Sequence, residues 1–392
     1  MTSAGRGVGR FWVAMACGLA FGAGAFVLAQ VAWIGLPRPQ ALEELAYYPS
    51  GVHLRPATLG HADAAADLAW LRAVQYYGEH RASDNRFERM EHVFDILTTL
   101  APGFVPANFT LARMRLKAGK PDEAVPYLKA VLRTNPSHVE SHALLAAYYD
   151  RRGDREQAVQ HLEALLRLNP NIPGLKLRLA NLYGETGRTA EGMAKAREVV
   201  AAEPTSAPAL VTLGRFQLER GDSVEAIDTF TKAVKLSPAS AGAHFFLAMA
   251  HNQHGDLDKA ADEFRKAIAI APNNAPAYNN LAWVLTERKG NLDEALNMAR
   301  QANEKRPNFA PFLDTLGWIE YVRGNYKDAE PPLAQAAKLA PSNGMIQYHL
   351  GMVYYKLGKK DDAIAAFRAV QRQDPKLGDT KKVKDLLKEL EG

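Results

Sequence analysis

Three histidines at helical spacing are the residues best suited to metal chemistry. His244, His251 and His254 sit in HFFLAMAHNQH, seven and then three apart, so all fall near one helical face. Two or three imidazoles so arranged can hold zinc. No carboxylate at matching spacing completes a ligand set, and the competing reading makes them turn-lining or solvent-facing side chains. The second cluster is DTLGWIEY at 314–321, where Asp314, Trp318 and Tyr321 recur at i, i+4 and i+7 and share a helix face. An acid beside two rings suits a substrate site or one unit of a repeated structure. The sequence contains no phosphate loop, no G-x-S-x-G and no H-E-x-x-H. Acids recur in DEA, DKA and DDA, where second helices begin, and there they favour the helix N-terminus without any catalytic role. The expectation is a non-enzymatic chain with no catalytic, cofactor-binding or metal-ligating residues.

The bulk composition narrows the partners. Over 392 residues the net charge is only +5, and Lys and Arg are scattered among Asp and Glu. Such charges solvate helix faces, and nucleic-acid binding is not expected. The single cysteine, Cys17, excludes a disulfide within the chain and a cysteine-based zinc site. Its position in an apolar run fits a small residue facing lipid or a neighbouring helix.

That run, residues 11–36, carries no charge. As a helix it would extend roughly 39 Å, enough to cross a bilayer with tilt. Trp12 and Trp33 lie near its ends; Arg6 and Arg10 precede it, and Arg38 follows with Glu43 and Glu44 close behind. The charge bias predicts a transmembrane signal-anchor helix, with residues 1–10 cytoplasmic and the remainder exported. Two rivals are a cleaved leader ending at Ala23-Gly24-Ala25, for which the run is long, and a lipid on Cys17, beyond which the run continues far.

The elements behind both clusters come from an internal period. Prolines stand at 102, 136, 170, 204, 238, 272, 307, 341 and 375, in steps of 34 with one of 35. Twelve residues before each proline from Pro136 onward lie Ala124, Ala158, Gly192, Ala226, Ala260, Ala295, Ala329 and Ala363. A leucine recurs from Leu111 to Leu350, and eight residues beyond it comes Gly119, Gly153, Gly187, Gly221, Gly255, Gly324 or Gly358. The sixth copy has Lys289 there and Gly290 next, which places its extra residue in a turn. Each copy reads as a helix pair: the leucine packs the helices, the glycine turns between them, the small residue allows close approach, and the proline ends the second helix. Pro106, Pro208, Pro276 and Pro311 fall where the next helix starts and no amide donor is missed.

This pattern resembles the tetratricopeptide repeat (TPR). The resemblance implies an all-α, right-handed superhelical solenoid of antiparallel helix pairs, here behind one N-terminal transmembrane helix. The units are 105–138, 139–172, 173–206, 207–240, 241–274, 275–309, 310–343 and 344–377, together 105–377. Unit three departs from the pattern, with Ala196 where a large ring is usual. Residues 37–104 read as a membrane-proximal region holding a degenerate helix pair, over 62–80 and FERMEHVFDILTTLAP. Residues 378–392 read as a polar-faced capping helix.

In this repeat family three positions of each first helix line a concave groove. The second half of the chain places Phe245, Met249, Asn252, Asn279, Trp283, Asp314, Trp318, Tyr321, Tyr348, Met352 and Tyr355 there, with Thr286 between. Rings, adaptable methionines and side-chain amides suit an extended peptide or a partner helix; the competing reading packs them against adjacent units or a returning tail. No unit carries the lysine that the family's carboxylate clamp uses at the first groove position, so capture of an acidic C-terminus in that mode is not expected. Glu320 replaces a packed tyrosine and calls for an ion-pair partner. NNLAWVLTERKGNLDEAL, LDTLGW and YHLG look like C-terminal repeats of bacterial envelope proteins serving pilus assembly, exopolysaccharide secretion or outer-membrane biogenesis. That implies an inner-membrane scaffold with a periplasmic solenoid and protein or peptide partners. The alternative resemblance is to a cytoplasm-facing, membrane-anchored regulator of lipopolysaccharide synthesis, whose metal-binding CxxC domain is absent here.

Overall fold

The computed structural model describes residues 66, 69, 70 and 90–392, so the uncharged segment 11–36 and most of 37–104 lie outside the described residues. Among the described residues no helix is long and apolar enough to cross a membrane, and there is no strand. The helices are α1 (Met90–Leu100), α2 (Val105–Lys117), α3 (Pro121–Thr134), α4 (Val139–Arg152), α5 (Arg155–Leu168), α6 (Leu175–Glu185), α7 (Thr189–Ala202), α8 (Ala207–Arg220), α9 (Ser223–Leu236) and α10 (Ala241–His254). They continue as α11 (Leu257–Ile270), α12 (Ala275–Glu287), α13 (Leu292–Lys305), α14 (Ala310–Val322), α15 (Tyr326–Leu339), α16 (Gly344–Lys356), α17 (Lys360–Gln373), α18 (Pro375–Gly378) and α19 (Lys381–Glu391). From α2 to α17 they form eight helix pairs, an all-α repeat solenoid. The chain divides into two compact units, residues 1–148 and 149–392.

In the first, Val93, Phe94, Leu97 and Leu100 of α1 close over Ala66 and Ala69 and over Ala107 and Leu111 of α2. Trp70 meets Phe104 edge-on at 5.4 Å. This layer covers the apolar end of the first pair, as a solenoid terminus requires.

In the second, backbone constraints recur once per pair. Every second helix ends two residues before its proline: α9 at Leu236 before Pro238, α17 at Gln373 before Pro375. The turn inside each pair needs a left-handed residue. Glycine supplies it at Gly221 (φ 89°) and Gly255 (φ 93°), whereas in the sixth unit Lys289 itself adopts φ 49° and Gly290 is the inserted residue. A lysine there carries the strain that glycine avoids.

Packing within the stack pairs large residues with small ones. From unit three to unit seven the central residue of the second helix meets the residue 20 positions on, in the next first helix. Phe230 clusters with Ala250, Phe264 with Val284, and Leu333 with Val353. Where the second helix offers only Ala196 or Ala299, the next first helix supplies Phe216 or Ile319. A Cβ built on Gly192 would overlap the Phe216 ring, and one on Gly184 would lie 3.0 Å from it. Unit three is therefore filled from unit four, as close packing demands.

At the far end, Val383 and Leu387 of α19 are buried against Tyr348, Met352, Phe367 and Val370. The helix caps the last pair with its apolar stripe.

Candidate functional site

The groove residues of units five to eight lie on α10, α12, α14 and α16, and they divide into two stretches. The first is lined by carboxamides. Asn252 and Asn279 each hold a buried carboxamide oxygen with no hydrogen-bond partner, and Asn279 is only 9% exposed. An acceptor removed from water without a donor costs about 1–3 kcal/mol. Beside them a cleft of about 430 Å³ is lined by Glu219, Met249, Asn252, Gln253, Asn280 and, at its floor, Phe264. Met249 is 37% exposed, while Phe245 meets Phe264 edge-on at 5.6 Å and belongs to the floor. Thr286 is buried and donates to the Ala282 carbonyl, so it faces its own helix.

The second stretch is closed on itself. Trp318 stacks on Tyr321 at 4.7 Å and 12°, and on His349 at 4.0 Å and 23°. Half-buried Trp283 tilts toward the same imidazole at 6.3 Å. His349 is 3% exposed and donates from Nδ1 to Asp314 Oδ1 at 2.8 Å. That bond fixes the tautomer and accounts for a carboxylate held in a ring-lined wall. Tyr348 and Met352 are buried under the cap, and Tyr355 donates to Glu389 of α19 at 2.7 Å. This bond to a carboxylate pushes the Tyr355 hydroxyl pKa up; burial, then the nearby tyrosines, does the same for Tyr321.

His349 escaped the sequence reading because it stands one place beyond the groove face. It belongs to a recurring arrangement in which the sixth residue of a unit reaches back to a groove position of the preceding unit. Arg178 pairs with Asp150, Thr212 donates to Asn181 at 3.3 Å, and the Phe246 ring lies under Arg215 at 5.5 Å. The signal was present as complementary residue types about one unit apart.

Glu320 finds its partners in this structure. Its carboxylate accepts from Asn325 Nδ2 at 2.9 Å and lies 3.7 Å from Arg300 and 3.9 Å from Arg323. Such a set replaces the packing of a tyrosine with a local charge network.

The histidines of α10 are each engaged separately. His244 is buried, with Nδ1 2.5 Å from Glu263 and Nε2 3.0 Å from the Pro238 carbonyl. Burial opposes ionisation of Glu263, but hydrogen bonds from Lys266 and His244 outweigh it and hold the pKa below the usual carboxylate value. His251 is 8% exposed, its buried Nδ1 lies 3.4 Å from Asp256 without a hydrogen-bond partner, and burial pushes its pKa down. His254 approaches Ser223 at 3.4 Å. Among the described residues no three His, Cys, Asp or Glu side chains are grouped to hold a metal ion.

Family models described as tetratricopeptide repeat match residues 177–241, 211–275 and 315–377 in one version and 115–173 and 251–316 in another. Among solved structures, a tetratricopeptide repeat protein from Parabacteroides merdae matches with TM-score 0.51 and 16% identity, over 65% of this chain and 99% of that one. A chain from the APC/C hetero-tetramer Cut9-Hcn1 matches with TM-score 0.56 and 18% identity, over 90% of this chain and 67% of that one. At such identities the likeness is one of fold. No curated protein matches the sequence.

Proposed function

We propose, on the premise that this chain carries tetratricopeptide repeats, that it is a non-enzymatic adaptor whose first helices in units five and six hold a protein partner in a concave groove. The observation that carries this reading is the pair of unpartnered carboxamide oxygens on Asn252 and Asn279 beside an open cleft. The side-chain amides along this cleft suit the N–H and C=O groups of an extended partner segment, the Asn252 carboxamide turning outward to gain the partner it lacks, with Met249 adapting to the segment's side chains. The test is photo-crosslinking from position 249 in cells. Discrete adducts are expected with the native chain, and their loss with Asn252→Ala plus Asn279→Ala. Adducts unchanged by the double variant would remove the amides from the binding surface.

The finer reading is a right-handed superhelical scaffold of the bacterial cell envelope. Residues 11–36 anchor it in the inner membrane, residues 1–10 are cytoplasmic and 105–377 periplasmic. It serves assembly or secretion by binding protein, without nucleic acid. The charge-free run and its flanking arginines support this. The alternative is a cytoplasm-facing regulator of envelope biosynthesis. Alkaline phosphatase and green fluorescent protein fused after Gly392 separate the two: phosphatase activity with a dark fluorophore supports export, and the reverse supports the regulator.

A further inference from the structure

The surface that the groove reading leaves unused is a cleft between α17 and α19. It measures about 700 Å³ and is lined by Arg368, Arg372, Lys384 and Lys388. On each helix the two cations stand four residues apart and so share a face. The opposite side of α19 carries Lys382 and Glu389, which meet the Tyr348 ring and the Tyr355 hydroxyl. The helix therefore turns one charged face to the groove rings and another, strongly basic one, to α17.

Four like charges around one cleft repel each other, and the carboxylates present do not balance them. Glu391 binds Arg368 at 2.7 Å, and Asp379 outside the cleft lies 3.0 Å from Lys384. Within the lining Glu391 is the one acidic side chain, against four cations. Among the described residues Arg372 and Lys388 have no ion-pair partner and both are exposed. Packing α19 this way costs repulsion that an arriving anion would relieve.

The geometry points to this cleft as a docking site for an acidic segment of a partner protein, a short run of Asp and Glu. Its volume is of ligand-pocket size, far more than one oxyanion fills. Its cations flank one short, open cleft between two helices, whereas a bilayer or a nucleic-acid duplex meets a broad basic surface. Arg offers a fork to a carboxylate and Lys a mobile point charge, a mixture that suits a flexible acidic chain. The inference is independent of the groove, which lies on the other side of α19.

The experiment titrates the full chain into a fluorescein-labelled hexapeptide of alternating Asp and Glu, read by anisotropy at about 50 mM salt, where screening is weak. Saturable binding is expected, weakened by added salt. Arg372→Glu with Lys388→Glu should weaken it at least about tenfold. Lys232→Glu with Lys235→Glu, an equal change in net charge on α9, should leave it within about twofold. Both cleft residues are exposed, so the circular-dichroism melting curve should not move. Arg372→Gln with Lys388→Gln should also weaken binding, which separates lost attraction from added repulsion. The proposal is overturned if the peptide does not bind or if the α9 pair weakens binding equally. It is also overturned if inorganic phosphate, a DNA duplex or phosphatidylglycerol vesicles compete more strongly than the unlabelled peptide.

Discussion

The two stretches of the groove use the same helix positions and reach opposite states. Around Asn252 the chain leaves a cleft open, and the buried carboxamide oxygens of Asn252 and Asn279 lack partners. Around Trp318 the side chains meet one another: Asp314 is bonded by His349, Trp318 lies against two stacked rings, and Tyr355 bonds Glu389 of the cap. The difference teaches that a groove position is not a binding position by virtue of its place in the repeat. It becomes one where the chain has left its bonding capacity open. The ring-rich end, which looks more like an interface in sequence, is the more fully satisfied in structure.

The sharpest way to break this comparison is Trp318→Ala. If the ring is part of an internal stack, its loss should destabilise the solenoid by about 3 kcal/mol, in the lower range for buried aromatic truncations. Urea unfolding of the purified chain measures this. A cost under about 1 kcal/mol, typical of a surface site, would return Trp318 to the list of free docking residues. The paired experiment, Asn252→Ala with Asn279→Ala, should destabilise by no more than about 1 kcal/mol, because it deletes acceptors that have no partner to lose. If the amide pair proved the more destabilising, the assignment of open and closed stretches would be reversed.

Much of this was legible in the sequence because it depends on the backbone alone. Pro136 and its successors mark helix ends, Ala226 and Ala260 mark close approach, and Gly221 marks a left-handed turn. Each repeats because each solves the same steric problem in every unit. Even the sixth unit could be placed, since the lysine at 289 and the glycine after it signal one residue added to a turn. What could not be placed are side chains whose partner is another side chain one unit away. Ala196 departs from the pattern in unit three, and only the structure shows Phe216 occupying its space. His349 lies just off the groove face, and its bond to Asp314 crosses 35 residues. The choice of groove residues could be read from helical phase, but not the fact that the cap would cover Tyr348 and Met352, since that depends on where α19 settles. The transmembrane reading of 11–36 rests on its apolar run and flanking charge alone.

The smallest effect sharpens the comparison through two buried histidines. His349 in the closed stretch is held by a carboxylate hydrogen bond; His251 beneath the open one lacks such a bond, and burial lowers its pKa from the usual 6.5. Asp256 and Glu263 pull that value up and Lys259 pushes it down, but burial is the largest influence. The unfolded chain therefore binds a proton more readily at this residue than the folded one. Stability from neutral His251 is complete above about pH 6.5 and is lost as the pH falls through that value toward the folded pKa. Asp256 and Glu263, both with lowered pKa values, stay ionised through this window, so the imidazole titrates against constant neighbours. The Tm should drop by about one or two degrees between pH 7 and 5.5, and His251→Gln should flatten that part of the profile. A profile unchanged by the substitution would mean that the imidazole is hydrated enough to titrate freely, and the open stretch would then extend down to α10's buried face.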